Sequence, residues 1–232
     1  MYTQMDKPSL IPEGWMLRYE NALANAEDVK SFRMEGDGAV TFPLKRMRLE
    51  SVRSPEEGQA ANLVFWAPYE CGDDYAVSWE FLPIREPGLA ILFFSARGDK
   101  GQDLFDPLLA PRAGIYDQYH HGDINAYHLS YFRRMWPEER QFHTCNLRKS
   151  YGFHLVTQGA DPIPGTADCL QPYRLLLIKQ GGHIQFRINE LPVLDWTDDG
   201  TEFGSVLGGG KLGFRQMAPL IAEYSNLQVY SP

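Results

Sequence analysis

The chain is poor in cysteine, has no long apolar run and carries no excess of positive charge. Its three cysteines, Cys71, Cys145 and Cys169, cannot all pair within the chain, and none stands in a Cys-x-x-Cys spacing. Neither a zinc nor a redox motif is present, and unpaired thiols predict a reducing, cytoplasmic setting. No stretch approaches the ~20 apolar residues of a membrane helix, and residues 1–14 lack the basic-then-apolar order of a secretory leader. Thirty acidic residues against 22 basic ones give a formal net charge of −8, which opposes general attraction to nucleic acid or anionic membrane. Also missing are a Gly-x-Ser-x-Gly elbow, a phosphate loop and His-Glu-x-x-His. The Glu-x-Asp-x-x-Glu strand of retaining jelly-roll glucanases is absent too. Asp195 in ELPVLDW reads as a turn residue, so no conventional pair of hydrolytic carboxylates is assigned.

What is present is β structure. Apolar residues make up 44% of the 232 and aromatics 13%, enough to cover the inner faces of two packed sheets. Short alternating runs bounded by Gly, Pro, Asn and Asp predict strands over 61–67, 75–82, 89–96, 126–134, 152–158, 173–179, 183–189, 211–216 and 221–229. Gln180-Gly181-Gly182 reverses RLLLIK into HIQFRI, because paired glycines adopt positive φ without a Cβ clash. Two excursions, 99–125 and 159–171, are rich in Gly and Pro, and loops of that length are commonly functional. Without a repeat or linker, the expectation is a single domain over 1–232: an all-β sandwich of two antiparallel sheets.

Candidate chemistry gathers in one region. Five of the six histidines, His120, His121, His128, His143 and His154, fall between Tyr119 and His154. Residues 112–154 hold six basic side chains against four acids, a positive field able to concentrate an anionic ligand such as a uronate. In NAYHLSYFRR, alternation directs Tyr127, Leu129 and Tyr131 to the core and His128, Ser130, Phe132 and Arg134 to the opposite face. That face offers an imidazole able to move protons near neutral pH and a guanidinium able to grip a carboxylate. A buried structural role for His128 competes with catalysis. His154 joins His128 if their strands share a sheet. Asn125, Arg133, Asn146 and Arg148 add donors, while Trp66 and Tyr119 are stacking platforms for a pyranose or, alternatively, core. Glu80 is the best single carboxylate for a polar face. His120, His121 and Asp123 have metal-binding side chains but no further ligands in pattern, so they read as loop surface, and no metal or cofactor is assigned.

The stretches RYENALANAEDVKSFRMEG, YHLSYFRR, NLRKSYGFHLVTQGADP and GKLGFRQMAPLIAEYSNLQVY resemble the YesU-like family, domain of unknown function 1961. The closing segment also resembles the last hairpin of concanavalin A-like sandwiches. The resemblance implies a concanavalin A-like jelly roll, with some members in pathways that dismantle pectic and related anionic glycans; it implies no catalytic residues. The resulting expectation is a glycosidase or lyase acting on oligosaccharides of an acidic, pectin-like polysaccharide. In it, His128 or His154 serves as base, Arg134 as enolate stabiliser, and Glu80 as the carboxylate of a hydrolytic variant. A noncatalytic, lectin-like carbohydrate-binding protein is the alternative reading, and a structural module the third.

Overall fold

The computed structural model describes residues 10–232. Residues 1–9, on which most of the leader reading rests, lie outside the described residues. In chain order the first strands are β1 (Met16–Asn21), β2 (Arg33–Glu35), β3 (Gly38–Thr41), β4 (Met47–Ser51), β5 (Leu63–Cys71), β6 (Tyr75–Arg85) and β7 (Leu89–Gly98). Then come α1 (Asp117–His120), β8 (Ile124–Tyr131), α2 (Pro137–Gln141), β9 (Thr144–Lys149) and β10 (His154–Ala160). The chain closes with β11 (Tyr173–Gln180), β12 (His183–Ile188), β13 (Leu191–Thr197), β14 (Gly210–Met217) and β15 (Ile221–Ser231). Sheet one runs β13-β12-β11-β6-β15-β4-β3, with β1 added to β15; sheet two runs β10-β9-β8-β7-β14-β5-β2. Every described strand pairing is antiparallel.

All nine predicted strands are present with ends moved by a few residues, and the Gly181-Gly182 hairpin sets Gln180 opposite His183. Period-two alternation builds the core. Val77, Trp79 and Phe81 of β6 and Ile184, Phe186 and Ile188 of β12 face Leu92, Phe94, Tyr127, Leu129, Tyr131 and Phe214 of sheet two. Across the sheets the Trp79 indole donates to the Tyr131 hydroxyl at 3.3 Å, so a buried polar group of each aromatic finds a partner.

The other face of sheet two carries a second, smaller core. Trp66, Phe93 and Ala126 there are covered by the excursion between β7 and β8, through Leu104 and Tyr119. Glu35 of β2 pins that excursion. It pairs with Arg112 at 2.9 Å and accepts from the Tyr119 hydroxyl at 2.8 Å. Gly114, at φ +83°, lies so close to the Asn62 carbonyl that a Cβ would sit 2.1 Å from its oxygen. Beyond this cover the same face carries a groove.

Strand β8 ends where alternation breaks. Phe132 has φ +46° and turns into the core beside Phe81, ring centroids 5.7 Å apart. Arg134 also turns inward. Its side chain is 1% exposed, pairs with Asp161 at 3.3 Å and donates to the Ile163 carbonyl at 2.7 Å. Asp161 also accepts from the backbone N–H groups of Phe132 and Ile163, stapling the end of β8 to the second excursion. Removing one partner of such a buried pair strands the other charge. Asp161→Ala is therefore expected to cost about 3–5 kcal/mol of unfolding free energy in chemical denaturation; a loss below about 1 kcal/mol would show that the staple contributes little.

Candidate functional site

On the uncovered half of sheet two lies a groove of about 230 Å³. Its floor is made of outward positions on four adjacent strands: Leu89 and Ile91 of β7, Arg215 and Met217 of β14, Ser130 of β8, and Asn146 and Arg148 of β9. Its walls come from loops: Tyr116 from the first excursion, Trp136 and Glu139 from the α2 segment, and Phe153 from the turn before β10. Trp136 is 48% exposed and Phe153 47%, so two aromatic side chains stand at the rim.

Three guanidinium groups meet one carboxylate here. Arg133 is neutralised: it pairs with Glu139 at 2.6 Å and donates to Thr144 Oγ1 at 2.7 Å. Arg148 donates to the Phe153 carbonyl at 3.0 Å and lies over the Phe153 ring, 3.7 Å from its centroid. Arg215 is fully buried, lies over the Tyr116 ring at 4.5 Å and donates through Nη2 to Gln59 Oε1 and the Gly114 carbonyl. Its Nε and Nη1 have no hydrogen-bond partner. Among the described residues, no carboxylate pairs with Arg148 or Arg215. Burial lowers the pKa of both, yet a guanidinium remains a cation at any physiological pH. Beneath Tyr116, His128 is 1% exposed; its Nδ1 lies 3.0 Å from the Tyr116 hydroxyl and its ring meets the edge of Phe93. Burial, then the charges of His120, Arg215 and Arg148, hold the imidazole well below its ordinary pKa of 6.5. Burial likewise pushes the Tyr116 phenol up to about 12.

Of the sequence-predicted residues, the structure brings Ser130, Arg133, Asn146 and Arg148 together on the groove, with His128 walled beneath it. The others lie elsewhere. Phe132 and Arg134 leave the face at the positive-φ turn after β8. His154 is displaced by a bulge in β10 between Leu155 and Thr157, which sets it opposite Lys149 and stacked on Phe203 at 4.5 Å. Glu80 belongs to sheet one, where Ser225 and Asn226 donate to its carboxylate at 2.7 and 2.8 Å. Asn125 shares the parity of Tyr127, away from the groove, with its Oδ1 buried and unpartnered. Trp66 and Tyr119 are sealed under the excursion at 0% exposure, the core reading of the two. Asp123 accepts from the Ala110 N–H at 2.6 Å, and it is Asp117 that joins His120 and His121.

Sequence reasoning missed Tyr116, Trp136, Glu139, Phe153 and Arg215. Arg215 had a legible signal: it alternates with the inward Phe214 in KLGFRQM, on the same side as Gly213, whose missing side chain makes room for Trp66. The loop residues had none, because irregular segments carry no periodicity to orient a side chain.

The fold agrees with what the chain resembles. The uncharacterized protein YesU of Bacillus subtilis (strain 168) is 52% identical over 212 residues, covering 91% of this chain and 94% of that one. A crystal structure of a protein of unknown function with a galectin-like fold, also from Bacillus subtilis, superposes with a TM-score of 0.88 at 52% identity, covering 92% and 94%. The carbohydrate binding module CBM66 from Bacillus subtilis shares the fold at 15% identity, TM-score 0.53, over 86% and 95% of the two chains. The two-sheet sandwich is thus a lectin-like jelly roll, and with the family profile matching residues 16–229, the chain belongs to the family described as Domain of unknown function (DUF1961).

Proposed function

We propose that the groove on sheet two binds an acidic oligosaccharide without cleaving it. The observation that carries this reading is the pair Arg148 and Arg215, two guanidinium groups set in the groove floor with no carboxylate partner among the described residues. A desolvated cation without a counter-charge is costly, and the rings of Tyr116 and Phe153 offset only part of that cost. A ligand carboxylate offsets the remainder through charge-assisted hydrogen bonds. Trp136 and Phe153 at the rim supply apolar faces of the kind on which pyranose rings stack. Lectin-like neighbours add support, since CBM66 is by its name a carbohydrate-binding module.

The arrangement gives less support to cleavage. Among the described residues, Glu139 is the one carboxylate lining the groove and is already committed to Arg133, whereas hydrolysis needs two flanking the bond. One contact favours a second reading, β-elimination: the Tyr116 hydroxyl lies 3.0 Å from the neutral His128 imidazole, a phenol beside a base. In that reading Tyr116, its phenol proton passed to His128, abstracts the proton next to a uronate carboxylate, Arg215 stabilises the enolate, and the electron pair expels the glycosidic oxygen, which leaves with the proton that Tyr116 took up. With the phenol raised to about 12, ionising it at neutral pH costs about 7 kcal/mol, which weighs against it.

Titration calorimetry with uronate oligosaccharides and their carboxyl-reduced, neutral counterparts tests the proposal. The acidic sugar is expected to bind, the neutral one more weakly, and Arg148→Ala to lose about 1.5–3 kcal/mol of binding free energy, roughly 10- to 150-fold. Equal affinity for both sugars removes the charge argument. Mass spectrometry of the incubated sugar decides the second reading: unsaturated ends establish elimination, and intact sugar leaves binding alone.

His128 gives a pH expectation. Unfolded, its imidazole takes up a proton near pH 6.5; folded, it does so only at lower pH. The unfolded state therefore binds more protons below 6.5, and stability present at neutral pH is lost as pH falls through that range. Denaturant unfolding at about pH 7.5 and about pH 5 is expected to show a smaller loss for His128→Gln than for the parent chain. An identical loss in the two would mean that the buried imidazole protonates in place.

A further inference from the structure

We propose that Asp117, His120 and His121 form a binding site for a first-row transition-metal ion of the zinc class at the rim of the groove. The three ligand atoms lie within 4.8 Å of one another. His121 Nδ1 is 2.9 Å from His120 Nδ1 and 2.9 Å from Asp117 Oδ1, and His120 Nδ1 is 3.9 Å from that same oxygen. Metal–ligand bonds of about 2.0–2.2 Å in a tetrahedral arrangement separate their donor atoms by roughly 3.3 Å, a value these three distances bracket.

Protons serve the cluster poorly. A neutral imidazole carries one hydrogen, and an Nδ1 that holds it has no lone pair to accept another. If His121 Nδ1–H turns to Asp117, His120 Nδ1 is left at the side of the same hydrogen; if both Nδ1 atoms are protonated, two N–H groups face each other at 2.9 Å. A divalent cation takes a lone pair from all three atoms at once. The scaffold holds them in place. His121 N–H donates to the Asp117 carbonyl at 2.8 Å, Gly152 N–H to the His120 carbonyl at 2.6 Å, and Ala113 N–H to Gln118 Oε1 at 2.8 Å. The site is also reachable, with the His121 side chain 44% exposed and that of Asp117 73%.

Two imidazoles and one carboxylate suit zinc and its neighbours rather than calcium or magnesium, which take oxygen ligands. Three protein ligands leave a fourth position for water or for an oxygen of a ligand. The cluster adjoins the groove wall, because the His120 ring packs on Tyr116 at 4.8 Å and on Phe153 at 5.0 Å. The inference is independent of the sugar reading: zinc binds here whether or not the groove holds a glycan.

Calorimetric titration of the full chain with zinc chloride alone, and a visible spectrum with cobalt(II), test it. One saturable site, a cobalt ligand-field band, and at least about tenfold weaker binding in His121→Ala and Asp117→Asn are expected. His183→Ala, which removes the exposed His183–Asp195 pair on β12 and β13, is expected to leave binding unchanged, and calcium is expected not to compete. Zinc-edge X-ray absorption of the unaltered chain covers the case of a poorly folded variant: two imidazoles and no sulfur are expected in the first shell. Absence of saturable binding, binding that persists in His121→Ala, loss in His183→Ala, or a sulfur ligand would each overturn the assignment.

Discussion

Tyr127, Leu129 and Tyr131 of β8, with Leu92 and Phe94 of β7 and Phe214 of β14, are committed to the space between the sheets. Because side chains on a strand alternate strictly, that commitment leaves no choice for the residues between them. Ser130, Ile91 and Arg215 must stand on the outer face of sheet two, and the register of β8 with β9 sets Asn146 and Arg148 beside them. The groove is thus a by-product of filling the core. Each aliphatic or aromatic side chain fully buried there is worth about 1.5–3 kcal/mol, and a one-residue slip would forfeit many such contributions at once. The positions of the guanidinium groups are fixed by residues that never touch a ligand.

An outer face this apolar has to be covered, and the first excursion covers half of it. Trp66, Phe93 and Tyr119 form a second stacked core under that loop, while Glu35 gathers Arg112 and Tyr119 to hold it down. The same loop carries Tyr116 and α1. Sealing one half of the face therefore places the aromatic wall of the other half, and it brings Asp117, His120 and His121 to the rim. Position and stability are here two results of one contact set.

Alternation made nine of the fifteen described strands, the hairpin at Gly181-Gly182 and the outward Ser130 legible from the sequence, while Asn146 and Arg148 were legible only as donors. It failed wherever the backbone departs from two-residue repeat. Phe132 at φ +46° reverses the parity of the residues after it, so Arg134 reads as outward and is buried against Asp161; the bulge in β10 does the same to His154. Both departures are single-residue events with no composition signal. Short or charged strands were invisible as well: β2 and β3 are three and four residues long, and β9, TCNLRK, reads as polar donors rather than as a strand. Sheet membership was the third blind spot. Glu80 alternates correctly on β6, but nothing in its neighbours says that β6 and β8 lie in opposite sheets.

The net charge of −8 does not argue against an anionic ligand, because distance decides which charges count. At physiological ionic strength exposed charges more than about 8 Å away are largely screened, whereas Arg148 and Arg215 act at contact range in a partly dehydrated groove where the effective dielectric is lower. Glu139 cancels Arg133 alone. What a bound carboxylate meets is therefore a local excess of two positive charges, and the acidic remainder of the surface lowers the approach rate more than it lowers the affinity. Burial is the first reason that His128 stays neutral, and the charges of His120, Arg215 and Arg148 add to it, so a further cation beneath Tyr116 would be desolvated as well as repelled. On the proposed reading, an uncharged imidazole and two arginines with no carboxylate partner among the described residues are what leave room for a ligand's negative charge.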